Sequence, residues 1–237
     1  MDGALEHGHS PEAIRARLAS AGHRGHLRDV VYGAVDGAVT TFAIVAGVQG
    51  AGLPTAVIIT LGVANILADG FSMAVGNYMG TKAEVDDVQR LRAIEERHLD
   101  VDPEGEREEV RQILGAKGLE GRVLEEATAA VTRRRQTWIE LMLAGEYGVS
   151  STPPSPIRAA GATFIAFLAA GVVPLLPFVL GLENAFPLAI TTTGAVFFAI
   201  GSLKSRWSPA PWWRSGLETL AIGAIAAAIA FYVGSLF

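Results

Sequence analysis

The chain has 237 residues, half of them hydrophobic, and a mean hydropathy of +0.35, which is too apolar for an ordinary water-soluble domain. Its formal charge of −5 argues against nucleic acid as a partner. It contains no cysteine, which excludes a disulfide framework and a thiolate metal site.

The charge is unevenly placed. All 19 Lys and Arg fall in four places: 4 in residues 1–28, 11 in 82–135, Arg158 alone, and 3 in 204–214. The apolar blocks between them carry none, as in membrane spans joined by polar segments. Residues 1–28 form a polar extension without the early apolar core of a cleavable signal peptide. Within it, Pro11–Ser20 predicts a short amphipathic helix on the membrane surface, or else a frayed tail.

A bilayer core needs about 20 apolar residues as helix, and the first span, residues 29–50, nearly supplies them. It holds one charge near its middle, Asp36, beside a GxxxG pair, Gly33 and Gly37, that lets another helix come close. Tyr32, Asp36 and Thr40 share a face. The second span is 55–80 and runs without a stop into charged sequence. In its stretch NILADGFSMAVGNYMGTKAE, Asn65, Asp69 and Met73 recur every four residues on one face. Ser72, Gly76 and Gly80 form a small-residue stripe on another face, suited to close helix contact. A carboxylate in hydrocarbon costs on the order of 2.5–3.5 kcal/mol, so each Asp should face a partner, a cavity or a pathway.

Residues 82–150 change character. They predict a soluble insert of about three helices, 82–99, 105–115 and 120–147, the last broken near Arg135. Such an insert is too small to be very stable alone; a dimer contact or a bound metal would help it. The Pro-rich stretch 150–156 ends helices on both sides. The third span is 157–180, with Pro174 and Pro177 kinking its outer end, and the fourth is 187–203. A basic loop with Trp207, Trp212 and Trp213, an interface composition, leads to the fifth span, 215–237.

The predicted fold class is therefore an all-α membrane protein: five transmembrane helices with a helical insert between the second and third. Its divisions are an N-terminal extension (1–28), helices 1–2 (29–81), the insert (82–150) and helices 3–5 (151–237). A cytoplasmic N-terminus puts the extension, the insert, Arg158 and the 204–214 loop on one side, a complete positive-inside pattern. Ala-, Gly- and Arg-rich usage without an organelle signal points to a bacterial inner membrane.

Two constellations carry candidate chemistry. The first is Asp36 with Asp69, Asn65 and Met73. Carboxylates and an amide suit Mn²⁺ and Fe²⁺, and a thioether adds preference for later ions; the carboxylates can also exchange a proton for the ion. The structural alternative is a buried Asp bonded to its helix, with Met73 as packing. Two Asp on neighbouring spans also fit an intramembrane aspartyl protease dyad. The second constellation is the insert, where Glu95 and His98, Glu106 and Glu109, and Met142 and Glu146 each project from one helix face. Packed together, they crowd like charges that a cation would neutralise; a solvated charged helix is the ordinary alternative. A metal sensor without transport fits the same residues. His7, His9, His23 and His26 are further metal candidates. Residues 133–135 read as a headgroup patch, and Lys82 as an interfacial anchor or a partner for Asp86.

These residues resemble the vacuolar iron transporter family from about Leu27 to the C-terminal end. The resemblance rests on RDVVYGAVDG around Asp36, SMAVGNYMGTKAE after Asp69, the acidic insert, and VVPLLPF in the third span, in that order. It implies a homodimer of five-span subunits that exchanges Fe²⁺, and often Mn²⁺, for protons, moving metal out of the cytosol with no prosthetic group. It implies that Asp36 is the essential carboxylate and Met73 the pathway methionine. It further implies that Glu95, Glu106, Glu109, Glu146 and Met142 bind cytosolic metal. There are departures. Asn65 stands where plant members carry Glu, with Asp69 one turn on as a replacement. His98 stands where a Glu ligand is usual, and Leu143 where a second Met is found. They bear on metal preference and on the number of ions bound.

Overall fold

Ser10 and Pro11 start the first helix as a cap and a first-turn proline should. The Ser10 hydroxyl accepts from Ala13 N at 3.2 Å, and α1 (Pro11–Ser20) follows. The structure is a computed structural model that describes residues 8–20, 25–150 and 153–237. Helix α2 (Leu27–Gly50) contains no proline and ends at a turn in which Gly52 takes φ +66°, a left-handed conformation that favours glycine. Pro54 precedes α3 (Thr55–Val101), which runs 47 residues without a break. At 1.5 Å per residue it is about 70 Å long, more than twice a bilayer core.

The next helix, α4 (Pro103–Ala116), is capped by Asp102, whose carboxylate accepts from Gly105 N at 3.1 Å. Helices α5 (Gly121–Thr132) and α6 (Arg135–Gly145) divide at residues 133–134, where the predicted third helix of the insert was expected to break. Helix α7 (Pro156–Val172) gives way to a 3₁₀ turn, Val173–Leu175, and the short α8 (Leu176–Val179). Pro174 and Pro177 lack the N–H groups that would continue α7. Helices α9 (Ala185–Lys204) and α10 (Trp212–Gly234) complete the chain, α10 starting directly after Pro211.

Among the described residues there is no strand. Five helical segments are long and apolar enough to cross a membrane: Leu27–Gly50, Thr55–Val101, Pro156–Val179, Ala185–Trp207 and Trp212–Gly234. Its described residues are those of an all-helical integral membrane protein; the spans begin within a few residues of the predicted starts, but α3 runs on past residue 80 and absorbs the helix expected over 82–99.

The chain divides into two compact units. The membrane unit comprises residues 25–79 and 156–237, and α2 is its centre, packed against α7, α9 and α10. Apolar side chains gain little by leaving lipid for protein, so helices here cohere by close approach. The GxxxG pair supplies it. A Cβ at Gly33 would strike the carbonyl of Thr163, and one at Gly37 that of Phe167, so α2 lies backbone-to-backbone on α7. Phe42, Val45, Ile58, Ile66, Leu175 and Phe178 fill the core on one side. The second small-residue stripe is different: a Cβ at Gly76 or Gly80 would meet nothing within 4 Å.

The polar unit comprises the described residues among 1–24 and 80–155. Its core is two apolar clusters: Leu91, Leu99, Ile139 and Leu143, and Val110, Leu114, Leu124 and Met142. Facing water, each such side chain contributes about 1.5–3 kcal/mol on burial. Arg135 donates to Asp100 at 2.7 Å and to the Glu96 carbonyl at 2.6 Å, tying α6 to α3. It stays exposed, as do Arg133 and Arg134 beside it.

Candidate functional site

The face that carries Asn65, Asp69 and Met73 on α3 turns toward α2, and contacts across the two helices keep one register. Thr40 Oγ1 accepts from Asn65 Nδ2 at 3.2 Å and donates to the Asp36 carbonyl at 2.9 Å. Asn77 Nδ2 donates to Asp29 Oδ1 at 3.0 Å. Thr40–Asn65 and Asp29–Asn77 are therefore hydrogen-bonded rungs of a polar ladder between antiparallel helices, and their register sets Asp36 and Asp69 at one level between them. Asp36, Asp69, Asn65 and Met73 are all partly buried, while Tyr32 is exposed.

Neither Asp29 nor Asn77 stands out in the sequence, although Asn77 is the next member of the four-residue series Asn65, Asp69, Met73. Its amide has two acceptors, Asp29 and the Thr163 hydroxyl, the latter at 2.7 Å. Thr163 is fully buried and itself donates to the Ala159 carbonyl at 3.1 Å. His26 Nδ1 lies 3.1 Å from the other Asp29 oxygen. Of the N-terminal histidines, His26 thus belongs to this cluster and His9 is exposed. His7 and His23 lie outside the described residues.

The insert brings its carboxylates into one electrostatic cluster. Glu95 is 1% exposed; its Oε1 accepts from the Tyr147 hydroxyl at 2.9 Å, and its Oε2 is buried without a donor. Glu106 is 5% exposed; its Oε1 lies 3.2 Å from His98 Nδ1, and its Oε2 also lacks a donor. Glu109 and Glu146 are exposed. Burial, then the charges of Glu95 and Glu109, push the Glu106 carboxyl up to about 7. Burial and the charges of Glu146 and Glu95 raise Glu109 as well, with His98 opposing them. Burial and the bond to Glu95 hold the Tyr147 phenol protonated, above its ordinary range.

Met142 is elsewhere. It is fully buried in the apolar cluster with Val110, Leu114 and Leu124 rather than among the carboxylates. Among the described residues, no three His, Asp or Glu side chains converge closely enough to hold an ion as they stand. Glu106 and Glu95 instead share a side-chain hydrogen bond, one proton between the two carboxylates. The buried oxygens of this pair are nonetheless atoms that a hard divalent cation satisfies. Lys82 pairs with Asp86, one turn on.

An all-helical membrane protein that keeps Asp29, Asp36 and Asp69 partly buried within its spans, Asp29 held by the Asn77 amide, fits the class of ion transporters. Residues 27–235 match the model of the VIT family. "Vacuolar iron transporter 1" of Arabidopsis thaliana is 33% identical over 211 residues, 86% of this chain and 83% of that protein. "Vacuolar iron transporter 2" of Oryza sativa is 32% identical, covering 86% of this chain and 85% of the relative. "Vacuolar iron transporter" of Toxoplasma gondii is 31% identical over 89% of this chain and 74% of the relative. The chain belongs to the VIT family. It is a metal-ion transporter and not an enzyme, so the protease reading of Asp36 and Asp69 falls.

Proposed function

We propose that this protein moves Fe²⁺, with Mn²⁺ and other divalent transition metals, out of the cytosol in exchange for protons. The observation that carries the reading is the shared level of Asp36 and Asp69. The hydrogen-bonded pairs Thr40–Asn65 and Asp29–Asn77 on either side fix a register that sets these two carboxylates at one level of the membrane unit, where a divalent cation or a proton would relieve their repulsion. The names of the relatives support iron as the substrate.

Glu95, Glu106, Glu109, Glu146 and His98 of a cytoplasmic domain (82–150) would capture the ion. Met142 would have to leave its apolar cluster to become a ligand, so the carboxylates carry the capture. The ion would pass to Met73, Asn65 and Asp36 along the α2–α3 seam, between residues 29–81 and the spans of 151–237. Proton binding at Asp36 or Asp69 from the far side would release it. The protein would work as a homodimer with the path near the subunit boundary. It would lie in a bacterial inner membrane with residues 1–28 inside, the orientation that satisfies the positive-inside pattern.

Metal flux into proteoliposomes under a pH gradient tests this, with Fe²⁺, Mn²⁺, Co²⁺ and Zn²⁺ compared. Asp36→Ala is expected to abolish flux. Flux that persists unchanged in that variant contradicts the reading, and metal binding without flux under any gradient makes the protein a sensor.

A further inference from the structure

We propose that Asp29 and Asn77 form a latch across the entrance of the ion path, and that the arriving cation opens it by taking the Asp29 carboxylate from the Asn77 amide. The inference rests on the α2–α3 seam being the route. The latch sits at the end of the seam where the chain leaves the membrane unit after Met79 and returns at Pro156. Asn77 is one helical turn from Met73, and Asp29 is about 10 Å along α2 from Asp36, at 1.5 Å per residue. An ion entering from this end meets Asp29 before either.

Three spans meet at this point, but they are not held alike. Helix α2 is fixed to α7 by the backbone contacts at Gly33 and Gly37, which cannot part without unpacking the unit. Among the described residues, the side-chain hydrogen bonds given from this end of α3 to its neighbours are those of Asn77, one to Asp29 and one to Thr163. Along α3 here, Ser72, Val75 and Gly76 are exposed and only Ala74 is buried. The movable element is therefore α3, held here by the bonds of Asn77.

The chemistry of Asp29 makes the tie conditional. Its side chain is 13% exposed, and its partners are a neutral amide and an imidazole that is 30% exposed. A carboxylate held by an amide N–H is an acceptor that a divalent cation takes in preference, because the ion carries full charge and carboxylate oxygens are its ordinary ligands. Once the cation engages Asp29, Asn77 loses one of its two bonds and the end of α3 is free to move outward, exposing Met73.

The chain has no cysteine, so Met73→Cys introduces a single reporter thiol. Its rate of modification by a membrane-impermeant thiol reagent is read in vesicles with the insert facing out, with and without Mn²⁺. On that background Mn²⁺ is expected to raise the rate several-fold. Asn77→Ala is expected to give the high rate without Mn²⁺. Asp29→Asn, which keeps an acceptor for Asn77 but removes the charge, is expected to stay slow with and without Mn²⁺. Thr163→Val, a milder lesion, should fall between, and it stands in for Asn77→Ala if that variant fails to run as a single species in gel filtration. A slow rate in both Asn77→Ala and Thr163→Val overturns the latch, as does an Mn²⁺ response in Asp29→Asn equal to that of its parent. The labelling needs no transport. Absence of metal flux in the unmodified protein would overturn the transport reading by itself, while the thiol rates still judge the latch.

Discussion

The two units handle buried carboxylates in opposite ways. In the membrane unit the three Asp of α2 and α3 fall in one register between the helices: Asp29 is bonded to Asn77, Thr40 to Asn65, and Asp36 and Asp69 share the level between. In the polar unit Glu95 and Glu106 are buried against each other, with Tyr147 and His98 as their polar neighbours. The difference follows from the solvent. Water rewards burial of Leu91, Leu99, Ile139 and Leu143 strongly enough to hold neighbouring carboxylates under repulsion. Lipid gives no such reward, so helices in the membrane unit hold by backbone proximity and polar groups must find partners where they stand.

The largest expected effect breaks the membrane half of this contrast. Gly37→Ala places a methyl group on the Phe167 carbonyl, and neither backbone can yield. Overpacking costs about 1–3 kcal/mol, and backbone against backbone belongs at the upper end. Thermal unfolding in detergent should show a clear drop in Tm or loss of a single folded species. A variant as stable as its parent would show that close approach does not hold α2 to α7.

The next effect sharpens the polar half. Glu106 titrates at about 7 in the folded chain, against 4.5 for the ordinary group. Between those values the folded state binds the extra proton, so stability falls as pH rises through the window and the loss is complete above pH 7. The loss is up to ~3 kcal/mol, less what solvent reaching the cluster screens. Glu106→Gln should flatten this dependence, and Mn²⁺ should stabilise the native protein more at pH 8 than at pH 5.5. Melting curves of the full chain across that range decide it; equal stability at both ends would sever the cluster from the account.

What was legible in the sequence was whatever a local period records. Spans need runs of apolar residues, Pro174 and Pro177 interrupt a helix wherever they fall, and the four-residue recurrence on α3 already lines up Asp69 and Met73. Asp29 escaped because its partners, Asn77 and Thr163, lie 48 and 134 residues away, a separation that leaves no periodic trace. Met142 misled for the converse reason. Its spacing from Glu146 reads as one helix stripe, but α6 ends at Gly145, leaving Glu146 in the turn beyond it, and α4 and α5 supply the apolar neighbours that bury Met142. Arg135 is one of three surface cations as the sequence reads, but its partners Asp100 and the Glu96 carbonyl lie 35 and 39 residues away on α3 and leave no local trace.

The smallest effect is the same substitution made where the contrast predicts the opposite sign. Gly76 lies on α3 like Gly37 on α2, in a helix and in a four-residue series of small side chains. A Cβ there meets nothing within 4 Å, so Gly76→Ala adds no clash. What remains is the helix preference of alanine over glycine, a gain of about 0.5–1 kcal/mol. Tm should stay level or rise slightly in the monomer. If instead the loss matched that of Gly37→Ala, the Ser72–Gly76–Gly80 stripe would be a packed face like that of Gly33 and Gly37. In the proposed homodimer the occupant of such a face would be a second copy, which a fall in the dimer fraction alongside the fall in Tm would identify.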